Sequence, residues 1–297
     1  MFKTELFGSG LRPKPYGLGL TLSGGGAKCM AQIGLLQYLC EQGIEPNVIS
    51  GVSGGAIVGA LFASGHEPGK ILEFFTSTRM FSLKNFSFTR LGLIDSDKIS
   101  KQFIPWFSED AFESLNIPLY VVATDLNRAA QTVFSSGPLV RALTASSAYP
   151  GMFTPVEWNG TVYADGGIIN NYPSDLIHPL CRHHIGMYLS PVVVQPSDQF
   201  ANTFDVLDRV FQIYSSAQLL SNIELPEVSL APEGIDQFSA FMVKPDKLKT
   251  LFQLGYDTSM SYFENEEGEG PAWLEKIQGS PVQKLSWLRW PTGSGTS

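Results

Sequence analysis

The chain has 297 residues, 43% of them hydrophobic and 16% charged, with a formal net charge of −8. That length and composition give a folded protein with room for a sizeable core and exclude a disordered one. The acidic balance, with no cluster of lysine or arginine, argues against nucleic acid as a partner and against polybasic attraction to anionic lipid.

In chain order, Leu18–Leu22 reads as a strand running into Ser23-Gly24-Gly25-Gly26-Ala27-Lys28. A helix follows, with Met30, Ile33, Leu36 and Cys40 on one apolar face and Gly43 placed to end it. Val48-Ile49 begins a second buried strand, parallel to the first through a right-handed crossover. It leads into Gly51-Val52-Ser53-Gly54-Gly55 and a helix that ends near Gly65. Residues 70–78 read as helical, and 97–112 as helical in part. Pro118–Asp125 is the clearest buried strand, with 132–134 as its return. Leu139–Ser147 is a helix, and Thr161–Ala164 is a short strand ending at Asp165-Gly166-Gly167. Two further strands are predicted at Ile185–Leu189 and Phe238–Val243, with helices at about 204–222 and 247–263. The expected organisation is one domain over residues 1–263 and a partly disordered C-terminal tail over 264–297.

No apolar run approaches the roughly 20 residues that span a bilayer, and Met1–Glu5 lacks a signal-peptide hydrophobic region. Cys29, Cys40 and Cys181 are few, odd in number and without metal-ligand spacing. The expectation is a cytoplasmic protein with reduced thiols, needing no metal or other cofactor.

Three features can carry chemistry. Gly51–Gly55 fits G-x-S-x-G, a strand-to-helix turn that presents a serine hydroxyl at a helix N-terminus. Gly24-Gly25-Gly26 offers successive N–H groups to an anion. Neither phosphate-loop nor dinucleotide spacing is satisfied there, so an oxyanion hole for Ser53 is the stronger reading. Asp165 can be a turn former before Gly-Gly, or the base that Ser53 needs. The histidines are poorly placed to act as that base, since His66 follows a helix end, and His178, His183 and His184 lie in a connecting region.

Gly24–Lys28, Gly51–Gly55, Ala145–Pro150, Asp165–Gly167 and Asn170–Pro173 together resemble the patatin-like phospholipases, in the same order and at similar spacing over about residues 18–173. The resemblance implies an α/β fold with a mainly parallel central sheet flanked by helices, a modified α/β-hydrolase-like architecture. It also implies a serine lipid acyl hydrolase, phospholipase A or esterase-like, with Ser53 as nucleophile and Asp165 as base. The Gly24–Gly26 loop, chiefly through Gly25 and Gly26, would hold the oxyanion, with Lys28 and Gly166 in support. The chain departs from the family's usual pattern at Cys29, where glycine is common, and at Lys28, where arginine is commoner. The expected partner is a lipid or acyl-ester substrate, with transient contact to a membrane surface. An acyltransferase using the same acyl-enzyme and a silent lipid-binding protein are the alternatives. Finally, the stretch 74–94 is dense in apolar bulk (Phe74, Phe75, Phe81, Phe86, Phe88) and is expected either to cover an acyl groove or to fill the core beside the elbow helix. On the first alternative Phe81, Phe86 and Phe88 touch substrate.

Overall fold

Tyr16–Leu22 forms the strand β1, and five of its seven residues are buried. A computed structural model describes residues 14–77, 92–201, 203–222, 224–241, 243 and 245–264. After β1 come α1 (Met30–Glu41), β2 (Val48–Val52), α2 (Gly54–Ala63), α3 (Pro68–Ser77), β3 (Gly92–Ile94) and α4 (Ser96–Phe103). Next are β4 (Leu119–Asp125), β5 (Ala130–Phe134), α5 (Leu139–Ser146), β6 (Gly151–Phe153), β7 (Val156–Trp158) and β8 (Thr161–Asp165). The described chain closes with β9 (Cys181–Met187), α6 (Thr203–Asn222), β10 (Val228–Leu230) and α7 (Pro245–Glu264).

The main sheet has the order β10-β9-β1-β2-β4-β8-β7, with β5 also paired to β4. β10, β9, β1, β2 and β4 are mutually parallel, whereas β5 and β8 run antiparallel to β4, and β7 antiparallel to β8. The sequence expectation of a mainly parallel α/β sheet is therefore met. Parallel strands covered on both faces read as continuous apolar runs, and every residue of β2 is buried, as is all of β4 but Tyr120.

α1 is buried nearly all round rather than on the one face its spacing suggested, because α7 lies across its outer side. Two glycines permit this approach. A Cβ on Gly34 would run into the backbone of Phe252 and Tyr256, and one on Gly255 would strike Ala31. Tyr38 stacks on Phe263 at 5.5 Å, and Tyr256 Oη donates to Glu41 Oε2 at 2.6 Å. α2, the elbow helix, has every residue buried except Phe62.

The sheet changes direction at one place that matters. β2 pairs with β4 as far as Val52↔Val122, and β8 pairs with β4 from Ala123↔Asp165 onward. β5 occupies the other edge of β4 over Val121–Asp125. Two strands of opposite direction therefore share one edge of β4 end to end. The carboxyl ends of β2 and β8 meet opposite the consecutive residues Val122 and Ala123.

One expectation is corrected. The described residues of Phe238–Val243 form no strand; the backbone there holds the glycine loop, with Ala240 O accepting from Ala27 N at 2.7 Å. The strand beside β9 is instead β10, at Val228–Leu230. The 97–112 region is helical in part, as expected: α4 stops at Phe103, because Pro105 follows within the next turn and cannot continue an α-helix. Phe74 and Phe75 are core residues, 0% and 1% exposed, and pack in a ring cluster with Phe103 and Trp106. Phe81, Phe86 and Phe88 lie outside the described residues, as does the tail from residue 265. Among the described residues, no helix is long and apolar enough to cross a membrane.

Candidate active site

Ser53 stands between the end of β2 and the first residue of α2 with φ 53° and ψ −129°. A non-glycine residue at that φ is strained and persists only where its surroundings enforce it. Here the enforcement can be followed atom by atom. Ser53 N donates to Ser146 Oγ at 2.9 Å, and Ser146 Oγ donates onward to Val122 O at 2.6 Å. Ser53 O accepts from the amides of Ala56 and Ile57, which starts α2. Gly55 has no alternative: a Cβ there would press on the carbonyls of Leu22 and Ser23 at the end of β1.

Asp165 arrives from the opposite direction at the end of β8. Its N–H donates to Ala148 O at 3.0 Å and its carbonyl accepts from Thr124 Oγ1 at 2.8 Å, so its backbone is tied to α5's exit and to β4. Ser53 Oγ donates to Asp165 Oδ2 at 2.6 Å, and Gly167 N donates to Oδ1 at 2.8 Å. The carboxyl is 1% exposed. Burial pushes its pKa up to about 7, against the Ser53 and Gly167 hydrogen bonds that favour the ionised form. Gly166 lies so close under β4 that a Cβ would overlap Val122 O.

The glycine loop crosses beside Ser53. Gly24 N is committed to Asn171 O at 3.2 Å, so this glycine ties the loop to the Asn170–Pro173 segment. The N–H groups of Gly25 and Gly26 have no acceptor among the described residues, and Gly26 has φ 56°. Cys29 is fully buried, with its sulfur beside Gly54, and burial pushes its thiol pKa up. A small side chain fits there without displacing the loop.

Two pockets open at Ser53. One is walled by Ile57, Ile99, Phe103, Phe153 and Phe241 and is almost wholly apolar. The other reaches Asp165 and is lined by Lys28, Tyr149, Asn171, Ser190, Asp208 and Gln212 among others. Burial lowers the pKa of the Lys28 ammonium while the nearby Asp208 and Asp236 carboxylates oppose that shift. Burial also raises that of Asp208, which accepts from Gln212 Nε2 at 2.8 Å. The apolar wall was not singled out in the sequence, although Ile99 and Phe103 stand four apart on α4, a helical spacing that marks one face. Phe74 contacts Phe103 from behind, at 5.9 Å between ring centres.

All four histidines are engaged elsewhere. His66 Nε2 bonds Trp106 O at 2.6 Å and His183 pairs with Glu227 at 3.2 Å. His184 bridges Thr21 Oγ1 and His178 under β1.

The sequence model of the patatin-like phospholipases matches residues 20–177. The chain belongs to the patatin-like phospholipase family. It is 36% identical to an uncharacterized NTE family protein of Mycobacterium tuberculosis (strain ATCC 25618 / H37Rv) over 160 residues, 52% of this chain and 43% of that one. It is 30% identical to the neuropathy target esterase sws of Drosophila melanogaster over 176 residues, 57% of this chain and 12% of that one. The lysophospholipase NTE1 of Candida glabrata is 29% identical over 162 residues, 52% of this chain and 9% of that one. The alignment thus covers less than half the length of each of these relatives. Among solved structures, VipD from Legionella pneumophila superposes with a TM-score of 0.50 at 14% identity, over 84% of this chain and 66% of that one. At that identity the likeness concerns the fold.

Proposed function

We propose that this patatin-like chain is a serine hydrolase of lipid acyl esters that works through a Ser53–Asp165 dyad. The observation that carries the reading is the 2.6 Å hydrogen bond from Ser53 Oγ to Asp165 Oδ2, made by a serine in a strained backbone conformation at the mouth of an apolar pocket. The names of its relatives, an esterase and a lysophospholipase, support a lipid ester as the substrate class.

On this reading the acyl chain lies along Ile57, Ile99, Phe103 and Phe153, each buried methylene contributing about 0.8 kcal/mol. Ser53 Oγ attacks the ester carbonyl while its proton passes to Asp165 Oδ2. The carbonyl oxygen, now an anion, accepts from the N–H groups of Gly25 and Gly26, each such donor being worth about 10² to 10³ in rate. Collapse of the tetrahedral intermediate breaks the C–O bond, and the proton on Asp165 leaves with the alcohol through the polar pocket. The restored carboxylate then draws a proton from water, whose oxygen attacks the acyl-serine. A second collapse releases the fatty acid and returns the proton to Ser53.

A fluorophosphonate probe should label the wild type and leave Ser53→Ala unlabelled, and Ser53→Ala should release no p-nitrophenol from graded p-nitrophenyl esters. Labelling at another residue, or hydrolysis surviving in the variant, would overturn the assignment.

A further inference from the structure

α6 is built inside out. A helix on a protein surface ordinarily turns its apolar stripe inward and its polar side to water. In α6 the exposed positions are Val206, Leu207, Val210, Ile213 and Tyr214, flanked by Thr203 and Ala217, and they recur at three- and four-residue spacing over four turns. Val210 is 57% exposed and Ile213 51%. The helix's three charged residues, Asp205, Asp208 and Arg209, are all half-buried instead.

The inner face carries the polar contacts. Ser215 and Gln218 donate to the carbonyls of Gly167 and Ile168, immediately after Asp165. Asp208, Phe211 and Gln212 wall the polar pocket at Ser53. Arg209 Nη2 donates to Val193 O at 2.7 Å and so ties the 190–196 loop to the helix. One helix therefore shapes the reaction site with one side and presents an uncharged apolar stripe with the other. An isolated exposed aliphatic residue is ordinary, but a contiguous set at helical spacing marks a contact surface.

We propose that the outer face of α6 docks on the surface of a zwitterionic phospholipid bilayer. This rests on the lipid-hydrolase reading, and three observations choose the bilayer as occupant. The stripe belongs to the helix that walls the site, so docking holds the site within one helix of the lipid layer. The stripe carries no charge, which suits burial at the acyl–headgroup boundary. The chain's net charge of −8 gives anionic lipid no electrostatic advantage.

The test uses the full chain with Ser53→Ala, so that the vesicles are not consumed, in co-sedimentation with sucrose-loaded phosphatidylcholine vesicles. Val210→Glu with Ile213→Glu should lower partitioning at least about tenfold, since two aliphatic anchors become charges. Val206→Trp should raise it. In the Ser53 background the glutamate pair should leave kcat/KM on a water-soluble butyrate ester within about twofold, and the melting temperature should stay close to that of the parent. Replacing a minority of the phosphatidylcholine by phosphatidylserine should not strengthen binding, nor should added salt weaken it. Unchanged partitioning of the glutamate pair overturns the proposal, as does binding that requires anionic lipid. So does a parent dimer that the pair dissociates without change in vesicle binding, which would make the stripe an interface between copies. A large fall in melting temperature also overturns it, because the stripe would then be covered by the chain itself. The soluble-ester and fluorophosphonate assays involve no vesicle, so loss of activity there refutes the hydrolase reading separately.

Discussion

Asp165→Asn should make the protein more stable at neutral pH while removing its activity. The wild-type carboxyl has its pKa raised to about 7 by burial, against about 3.9 in an unfolded chain. Below the unfolded value both states hold the proton and nothing is gained or lost. Between the two values the unfolded chain releases its proton and the folded chain keeps it. Unfolding stability then declines by about 1.4 kcal/mol for each pH unit and levels off above the folded pKa. Across that window the loss is on the order of 4 kcal/mol, and asparagine, which does not ionise, escapes it. Other groups titrate as well: His184, held neutral with a pKa near 3, loses stability as pH falls below about 6.5. The quantity to measure is therefore the difference between variant and wild type, from urea melts at several pH values from 4 to 8. That difference should grow in favour of asparagine up to about pH 7 and then stay constant. In parallel, wild-type kcat/KM on a soluble ester should rise with pH and reach half its plateau near pH 7, and Asp165→Asn should lose at least about 10³. A stability difference that does not change with pH would refute the reasoning. It would mean that the bonds from Ser53 and Gly167 offset burial and that the carboxyl is not raised above its unfolded value.

Each histidine changed singly to glutamine should keep kcat/KM within about tenfold. His184→Gln, which disturbs the Thr21 and His178 contacts, should cost about 1–3 kcal/mol in a urea melt. Ile99→Trp should fill the apolar pocket, cutting kcat/KM for long-chain p-nitrophenyl esters far more than for acetate. Phe74→Ala, in the core behind that wall, should instead cost about 3–5 kcal/mol of stability. Ser146→Ala removes the bond that holds the Ser53 amide; fluorophosphonate labelling should slow by about tenfold or more even where the fold, read by circular dichroism, is intact.

The elbow was legible because its chemistry is local. Strand, glycines, serine and helix follow one another within Val48–Ala63, and each residue type answers to a steric need of that turn. Asp165 was legible as a candidate only through its strand and the glycines after it. What brings it to Ser53 is not local: an antiparallel β8 occupies the edge of β4 that β2 vacates, and nothing in Thr161–Asp165 records its direction. The same holds for Phe238–Val243, whose apolar run looked like a strand because the segment must cover the glycine loop and close the apolar pocket with Phe241. For α1 the spacing showed one apolar face. The second came from Gly34 meeting Gly255, residues more than 200 positions apart in sequence. The helix expected at about 204–222 is α6, yet periodicity alone does not say which side of a helix faces out.

The proposed dyad works without an imidazole for a reason that the burial of Asp165 makes concrete. In a Ser-His-Asp site the carboxylate stays ionised and orients a histidine, whose ordinary pKa already lies near neutrality. Here the carboxyl itself is moved to about 7 by the loss of water around it, so it can take the Ser53 proton and give it to the leaving alcohol near physiological pH. Keeping a carboxyl 1% exposed is unfavourable once it ionises, and so is a serine at φ 53°. Both demands fall on the same small set of supports: the Val122 and Thr124 positions of β4, Ser146 at the end of α5, and the Gly166-Gly167 turn. One of these, the β4 edge, serves both sides at once: Val122 O holds Ser146, which holds the Ser53 amide, and Thr124 holds the Asp165 carbonyl. Strain on Ser53 and burial of Asp165 are thus held by one rigid strand and one helix end, and a change there should disturb both residues together.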